Sequence, residues 1–399
     1  MSIELARTGK SPASEQPPIA VAIVRARYNP YGGAERFVQR ALAALSHEGL
    51  ALTIVARDWQ SSPAGEAPAG MRLQKIDPFY VGKIWRDASF ARSVRRYLDD
   101  AQFELVQSHE RIAGLPIYRA GDGVHAEYLL QRLKGLSGWR RLGVQLSPWH
   151  RYVKQAERQM FQHKLLRAVI CNSAMVQEEI LQHFAVDPSK LHLIRNGVDT
   201  ERFMPASADD QRQARTNLGL PIDRPVFAFV GSGFERKGLA NAISAMADAA
   251  AAKDSALVVV GGDRKARSYR RLADRLGVGG RVVFAGSLVD VRPVLHAADG
   301  FVLPTIYDPF PNAVLEALAC GLPVITSRKC GAGELIQAGI NGFVGVADDT
   351  SAIAHQMAAI VANPQMRLAA RQSALPHTLK NLAGELKALY RSLSRLEAQ

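Results

Sequence analysis

Ile19-Ala-Val-Ala-Ile-Val-Arg25, the loop Tyr28-Asn-Pro-Tyr-Gly-Gly33 and Leu50-Ala-Leu-Thr-Ile-Val55 decide the fold. The first and last stretches are short, nearly continuous apolar runs. Such runs read as strands buried on both faces. Between them Phe37, Ala41, Leu42 and Leu45 recur at helical spacing, and Gly49 ends the pattern. Strand, glycine loop, helix, strand is a βαβ unit, and it implies a parallel sheet.

The alternation continues through the first half. Phe103–Val106, Ile117–Ala120, Ala168–Cys171 and Leu191–Ile194 read as strands. The second half restarts it at Pro225–Val230. Ala256–Val260, Val282–Phe284, Gly300–Leu303 and Pro323–Thr326 follow, with helical patterns between them. The expected fold class is therefore α/β, with two Rossmann-like domains facing across a cleft. The expected division is a disordered tail over 1–18, a first domain over 19–198, a polar linker over 199–222 and a second domain over 223–375. Residues 376–399 form a terminal helix that can pack back on the first domain.

Composition narrows the function classes. Apolar residues make up 47% of the 399 and charged residues 22%, a globular balance. Lys plus Arg exceeds Asp plus Glu by 50 − 37 = 13, which points to an anionic partner. Three cysteines, Cys171, Cys320 and Cys330, make neither a disulfide framework nor a Cys-x-x-Cys metal pair. A reducing cytoplasm is the expected compartment. No apolar run approaches the roughly 18 residues of a membrane-spanning helix.

In open α/β sheets ligands bind beyond the carboxyl ends of the strands, so the loops after strands carry the candidates. Gly32-Gly33 opens the first helix, where backbone N–H groups can meet a phosphate; a plain tight turn explains the pair equally well. Gly231-Ser-Gly-Phe-Glu-Arg-Lys-Gly238 is neither a dinucleotide fingerprint nor a Walker loop. Its Arg236-Lys237 pair suits a diphosphate neutralised without metal, or else a solvated surface. Asp308-Pro-Phe-Pro-Asn-Ala-Val-Leu-Glu316 leads from a strand into a helix. Asp308 in the loop can accept bonds from sugar hydroxyls, and Glu316, two turns later, can reach a ribose. Between them Phe310, Asn312, Ala313 and Val314 bring N–H groups toward a phosphate or a sugar oxygen. Asp122, between two glycines, can contact a transferring sugar, an acceptor hydroxyl, or both. His109 and His125 are further substrate-binding candidates, although a lone histidine often serves structure alone. No Asp-x-Asp motif occurs, so no metal site or resident cofactor is expected.

These motifs, in this order, resemble the retaining GT-B glycosyltransferases of the group 1 and family 4 type. Asp308-x7-Glu316 corresponds to that family's Glu-x7-Glu, with a side chain one methylene shorter at the first position. Gly32-Gly33, Arg236-Lys237 and Asn196-Gly-Val-Asp199 match its glycine loop, basic pair and interdomain loop. Tyr28–Gly33, Ala113-Gly-Leu-Pro116, Gly121-Asp122 and Lys329-Cys-Gly331 draw the resemblance toward the lipopolysaccharide core glucosyltransferase I group. The resemblance implies a nucleotide-sugar co-substrate, UDP-glucose in that group, and a saccharide acceptor that is lipid-linked. It places Asp122 and Asp308 in catalytic positions, with Asp308 on the donor sugar and Glu316 on the ribose. Loop residues Gly286–Leu288 are candidates for the base. Two other classes fit the same motifs: a sugar-nucleotide 2-epimerase of the same fold and a non-catalytic nucleotide-sugar-binding protein.

Residues 128–167 hold nine basic residues and one acidic one, Glu157. Ser147-Pro148 reads as a helix start, with Trp149, Tyr152, Val153, Ala156 and Met160 forming a stripe. Either the stripe packs on the sheet with a solvated basic face, or the region meets an anionic membrane surface. In the related glucosyltransferases it meets the membrane, so the expected location is cytoplasmic, peripheral on the inner face of the cytoplasmic membrane. No nucleic-acid recognition signature accompanies the charge, and nucleic acid is not an expected partner.

Overall fold

A computed structural model describes residues 19–28, 50–59, 71–248 and 254–395. The tail 1–18, Gly32-Gly33 and the first helical pattern lie outside them.

Seven parallel strands build the first sheet. They are β1 (Ile19–Val24), β2 (Leu50–Ala56), β3 (Met71–Lys75), β4 (Leu105–Ser108), β5 (Ile117–Arg119), β6 (Ala168–Cys171) and β7 (Leu191–Leu193), ordered β3-β2-β1-β4-β5-β6-β7. Ile19 pairs with Leu50 and Val24 with Val55, so the apolar runs quoted above lie side by side. The second sheet has β8 (Val226–Val230), β9 (Ala256–Val260), β10 (Val282–Gly286), β11 (Gly300–Leu303), β12 (Val324–Ser327) and β13 (Gly342–Gly345), ordered β10-β9-β8-β11-β12-β13. Every residue of β8 and β9 is buried, as a parallel strand covered by helices on both faces requires. In each sheet the strand order reverses beside the first strand, and the crevice there is where such folds bind ligands.

The outer strands β3 and β13 escape sequence reading. Met71-Arg-Leu-Gln-Lys75 carries polar residues on an edge, and Gly342-Phe-Val-Gly345 is bracketed by glycines. The polar stretch read as linker contains a helix, Ala208–Leu218. Ser207 caps it by accepting from Asp210 N, and Gly219 ends it in the left-handed conformation at φ 64°. Arg215 anchors it to the second domain, through Asp299 at 2.6 Å and the Ala297 carbonyl at 2.9 Å. Its composition concealed it because only Ala214 and Arg215 are buried.

The terminal helix Leu379–Arg395 crosses to the first domain. Leu382, Leu386, Leu389 and Leu393 form one stripe that joins Val21, Ile23 and Ile54 in a common core. Tyr390 Oη donates to Gln107 Oε1 at 2.7 Å in that interior. The chain thus passes between domains twice, and the passages touch where Val198 N donates to the His377 carbonyl.

Candidate active site

A cleft of about 850 Å³ lies between the carboxyl ends of the two sheets, and both domains line it. From the second domain come the loop after β8, the loop after β11 and the first turn of the helix Asn312–Ala319. From the first come Arg25, His109, Asp122 and His125.

The glycines after β8 have separate tasks. A Cβ on Gly231 would press on the Lys237 stem at 3.2 Å, so glycine leaves that stem its path. Gly238 sits at φ 77°, and a Cβ there would lie 1.9 Å from the Pro304 carbonyl oxygen. The short turn Phe234–Lys237 is thereby pressed against the loop after β11. Thr305 Oγ1 and Ile306 N both donate to the Arg236 carbonyl. The result is fixed aim: Arg236 Nη1 donates to Asp308 Oδ2 at 2.6 Å, and Lys237 Nζ donates to the same oxygen.

Asp308 therefore sits in its loop between two cations. It is buried, and one carboxylate oxygen is committed to two cations. Burial pushes its carboxyl up, but Lys237 and Arg236 outweigh that and hold it below the usual carboxylate range. Burial lowers the Lys237 ammonium, against the pull of Asp308. Two positive charges and one negative leave a net positive centre in a low-dielectric wall, a setting that favours an anion.

Pro311–Ala313, at the start of the helix Asn312–Ala319, and Glu316 about one turn on all line the cleft. This turn presents N–H groups and the positive end of the helix dipole. Val314 is a correction to the expected site. Its side chain is in the core, and its N–H donates to the Pro311 carbonyl. The 3.6-residue period turns it away from the face that carries Asn312 and Glu316. Phe310 is also a core residue, and it meets the first domain through its carbonyl, which accepts from Asn196 Nδ2. Asn196 Nδ2 also reaches Asn312 Oδ1 at 2.7 Å, so the interdomain loop holds the helix start.

Across the cleft, Asp122 is half exposed, with its carboxylate 3.8 Å from Arg25 Nη1. The neighbouring Gly123 has φ 66°, and a Cβ there would lie 2.2 Å from Tyr307 Oη. Tyr307 escaped sequence reading. It is buried, accepts from Val124 N at 2.9 Å and donates to Glu179 at 2.7 Å, tying β11's loop to the first domain. Lys329 adds ion pairs to Glu127 and Glu179 at 2.7 and 2.9 Å. The sequence signal was Gly123, whose need for a positive φ marks a close approach.

Both histidines line the cleft, and both are held neutral. Desolvation lowers His125 to about 3, helped by Arg111 and His150. It lies 3.0 Å from His150. Desolvation also lowers His109, helped by Arg25 and Arg119, and the ring meets Gln107 Nε2 at 3.0 Å. They offer hydrogen bonds and do not supply protons near neutrality.

The basic stretch divides in two. The helix Pro148–Phe161 buries Val153, Met160 and Glu157, and Glu157 pairs with Arg111 at 2.9 Å and accepts from His125 N. Its stripe faces protein. The preceding helix Gly138–Gln145 buries nothing, and Trp139 is 87% exposed. Among the described residues no helix is long and apolar enough to cross a membrane, and no group of three metal-ligating side chains gathers.

Comparison with known proteins agrees with this arrangement. Residues 31–202 match the family described as Glycosyltransferase Family 4, and residues 210–375 match Glycosyl transferases group 1. The chain is 26% identical over 314 residues to the lipopolysaccharide glucosyltransferase WaaG of Escherichia coli, covering 78% of this chain and 81% of that protein. A crystal structure of WaaG superposes with a TM-score of 0.78 at 23% identity, covering 93% of this chain and 99% of that one. The alpha-maltose-1-phosphate synthase of Mycolicibacterium smegmatis is 29% identical over 287 residues, covering 65% of this chain and 70% of that protein. Anabaena HepE, solved in complex with UDP-glucose, superposes with a TM-score of 0.74 at 18% identity, covering 94% of this chain and 100% of that one. With a first domain that matches Glycosyltransferase Family 4, a second that matches Glycosyl transferases group 1, two parallel sheets and a cleft at their facing switch points, the chain is a glycosyltransferase of GT-B architecture.

Proposed function

We propose that the enzyme transfers a hexose, glucose from UDP-glucose, to a saccharide of the lipopolysaccharide core, with retention of anomeric configuration. The observation that carries the reading is the net positive centre of Arg236, Lys237 and Asp308 beside the first turn of the helix Asn312–Ala319. The centre suits a departing diphosphate, because charge that develops there meets donors already fixed in orientation. Glu316 would take the ribose, and Gly286–Leu288 the base. Asp308, anchored through one oxygen, keeps its second oxygen for the donor sugar. Asp122 would face the acceptor hydroxyl from the first domain, so that positioning supplies much of the catalysis.

The names of WaaG and of HepE's ligand support glucose and UDP for those proteins, and the same chemistry is proposed here. No metal is assigned a part in the reaction. The acceptor is proposed to be lipid-linked and met at the inner face of the cytoplasmic membrane, through Trp139, Arg140 and Arg141 on the exposed helix. The test is incubation with UDP-glucose and a truncated core acceptor in the presence of a chelator, read by mass spectrometry and anomeric NMR. A product heavier by one hexose with an α linkage is expected. An epimerised sugar nucleotide formed without acceptor, or donor binding with no turnover, would overturn the reading.

A further inference from the structure

Past Asp122 the cleft opens into a side chamber of about 330 Å³, at the small end of ligand pockets, which run from roughly 300 to 1,000 Å³. Arg25, Arg111, Asp122, His125 and Trp149 line both spaces, so a ligand can occupy them together. The chamber lies wholly in the first domain, against the helices Gly82–Asp100 and Pro148–Phe161. Five arginines line it, Arg25, Arg27, Arg57, Arg86 and Arg111, against three carboxylates, Asp87, Glu110 and Asp122.

Arg57 is the exceptional member. It is 3% exposed, and its Nε has no hydrogen-bond partner. The nearest carboxylate oxygen, on Asp77, is 3.6 Å from that nitrogen, beyond hydrogen-bond range. Its other end is fixed. Nη2 donates to the Arg86 carbonyl at 2.7 Å, and the guanidinium carbon lies 4.7 Å from the Tyr80 ring centre and 5.2 Å from that of Phe90. Burying a guanidinium without a matched carboxylate is costly, and this one is held in a set orientation. Burial outweighs Asp77 and lowers its pKa, the response of a cation that lacks an adequate counter-charge. By contrast Arg86 and Arg111 have close partners of their own in Asp87 and Glu157. A planar guanidinium with an unpaired donor, in a residue that lines the chamber, is suited to phosphate or carboxylate. Trp149 and Tyr152 add ring faces to the same walls.

We propose that this chamber is a subsite for an anionic substituent, a phosphate or a carboxylate, carried by the acceptor saccharide whose hydroxyl stands at Asp122. The inference deepens the transferase reading and rests on it. Arg57 would receive the anion, with Arg27 at the exposed rim. A neutral sugar would bring Arg57 no counter-charge within hydrogen-bond range. Recognition here would select the acceptor and hold it against the donor, apart from the diphosphate centre across the cleft.

The test is calorimetric titration of the full-length enzyme, saturated with UDP, by glucose 6-phosphate, glucuronate and glucose. At least one anionic sugar should bind tenfold or more tightly than glucose, and the stronger of the two identifies phosphate or carboxylate. Arg57→Gln should remove that preference tenfold or more while UDP affinity stays as in the parent. Circular dichroism reports whether the variant folds. If it does not, Arg27→Gln decides, with a several-fold loss expected for the anionic sugar alone. Equal affinity for charged and neutral sugars, or an unchanged preference in a folded variant, overturns the subsite. Failure of UDP to bind the parent would overturn the donor reading instead, and the sugar titrations, repeated without it, would still read the chamber.

Discussion

Arg236 Nη1 and Asp308 Oδ2 lie 2.6 Å apart, and Lys237 Nζ converges on the same oxygen. One carboxylate therefore organises both cations. Removing Lys237 leaves Asp308 buried with a single partner. Lys237→Ala should lower stability by about 1–3 kcal/mol, the range for stranding a buried polar group. It should also reduce transfer by 100-fold or more. Denaturant titration and initial rates read the two effects. A variant with parental turnover would remove the diphosphate role.

Tyr307 joins the domains through Val124 and Glu179. Tyr307→Phe strands the Val124 N–H, leaves Glu179 with Lys329 alone and should cost about 1–3 kcal/mol in calorimetric stability. Gly123→Ala should cost more, because the new Cβ meets Tyr307 Oη at 2.2 Å and φ is positive. The double variant should be less destabilised than the two losses summed, since the clashing oxygen is gone. Strict additivity would show that the contact does not couple the domains.

Much of this was legible beforehand. The apolar runs marked most of the central strands because parallel strands bury both faces, and the glycine-rich loops marked the ends that line the cleft. Asp308 and the Arg236-Lys237 pair were found separately, while the convergence of that pair on Asp308 was not, since spacing along the chain carries no information on contacts across 71 residues. Tyr307, Arg57 and Arg25 were missed for a related reason. An aromatic or an arginine in a loop looks the same whether it faces solvent or another domain. The edge strand β13 was missed because glycines interrupt its pattern.

The histidines give a pH signature. His125 is held at about 3 by desolvation, whereas an unfolded histidine takes a proton near 6.5. Between those values the unfolded chain binds more protons, so stability rises with pH and is lost as pH falls from 6.5 toward 3. His125→Gln should flatten that slope, measured as unfolding midpoint against pH. An equally steep slope in the variant would place the proton uptake elsewhere.

Trp139 and the flanking Arg140 and Arg141 lie on a helix that buries nothing. Trp139→Ala with Arg140→Glu and Arg141→Glu should weaken sedimentation with anionic vesicles by 10-fold or more, at unchanged thermal stability. Each surface-proximal basic residue contributes roughly 1 kcal/mol to such binding. Unchanged sedimentation would assign the exposed face to solvent.

The most direct measurement is calorimetric titration of UDP-glucose into the parent and the Lys237→Ala variant, in chelator, with folding of both verified. Saturable binding to the parent, lost by tenfold or more in the variant, is the predicted result. Equal binding by both proteins, or binding by neither, would contradict a nucleotide-diphosphate site built on Arg236, Lys237 and Asp308.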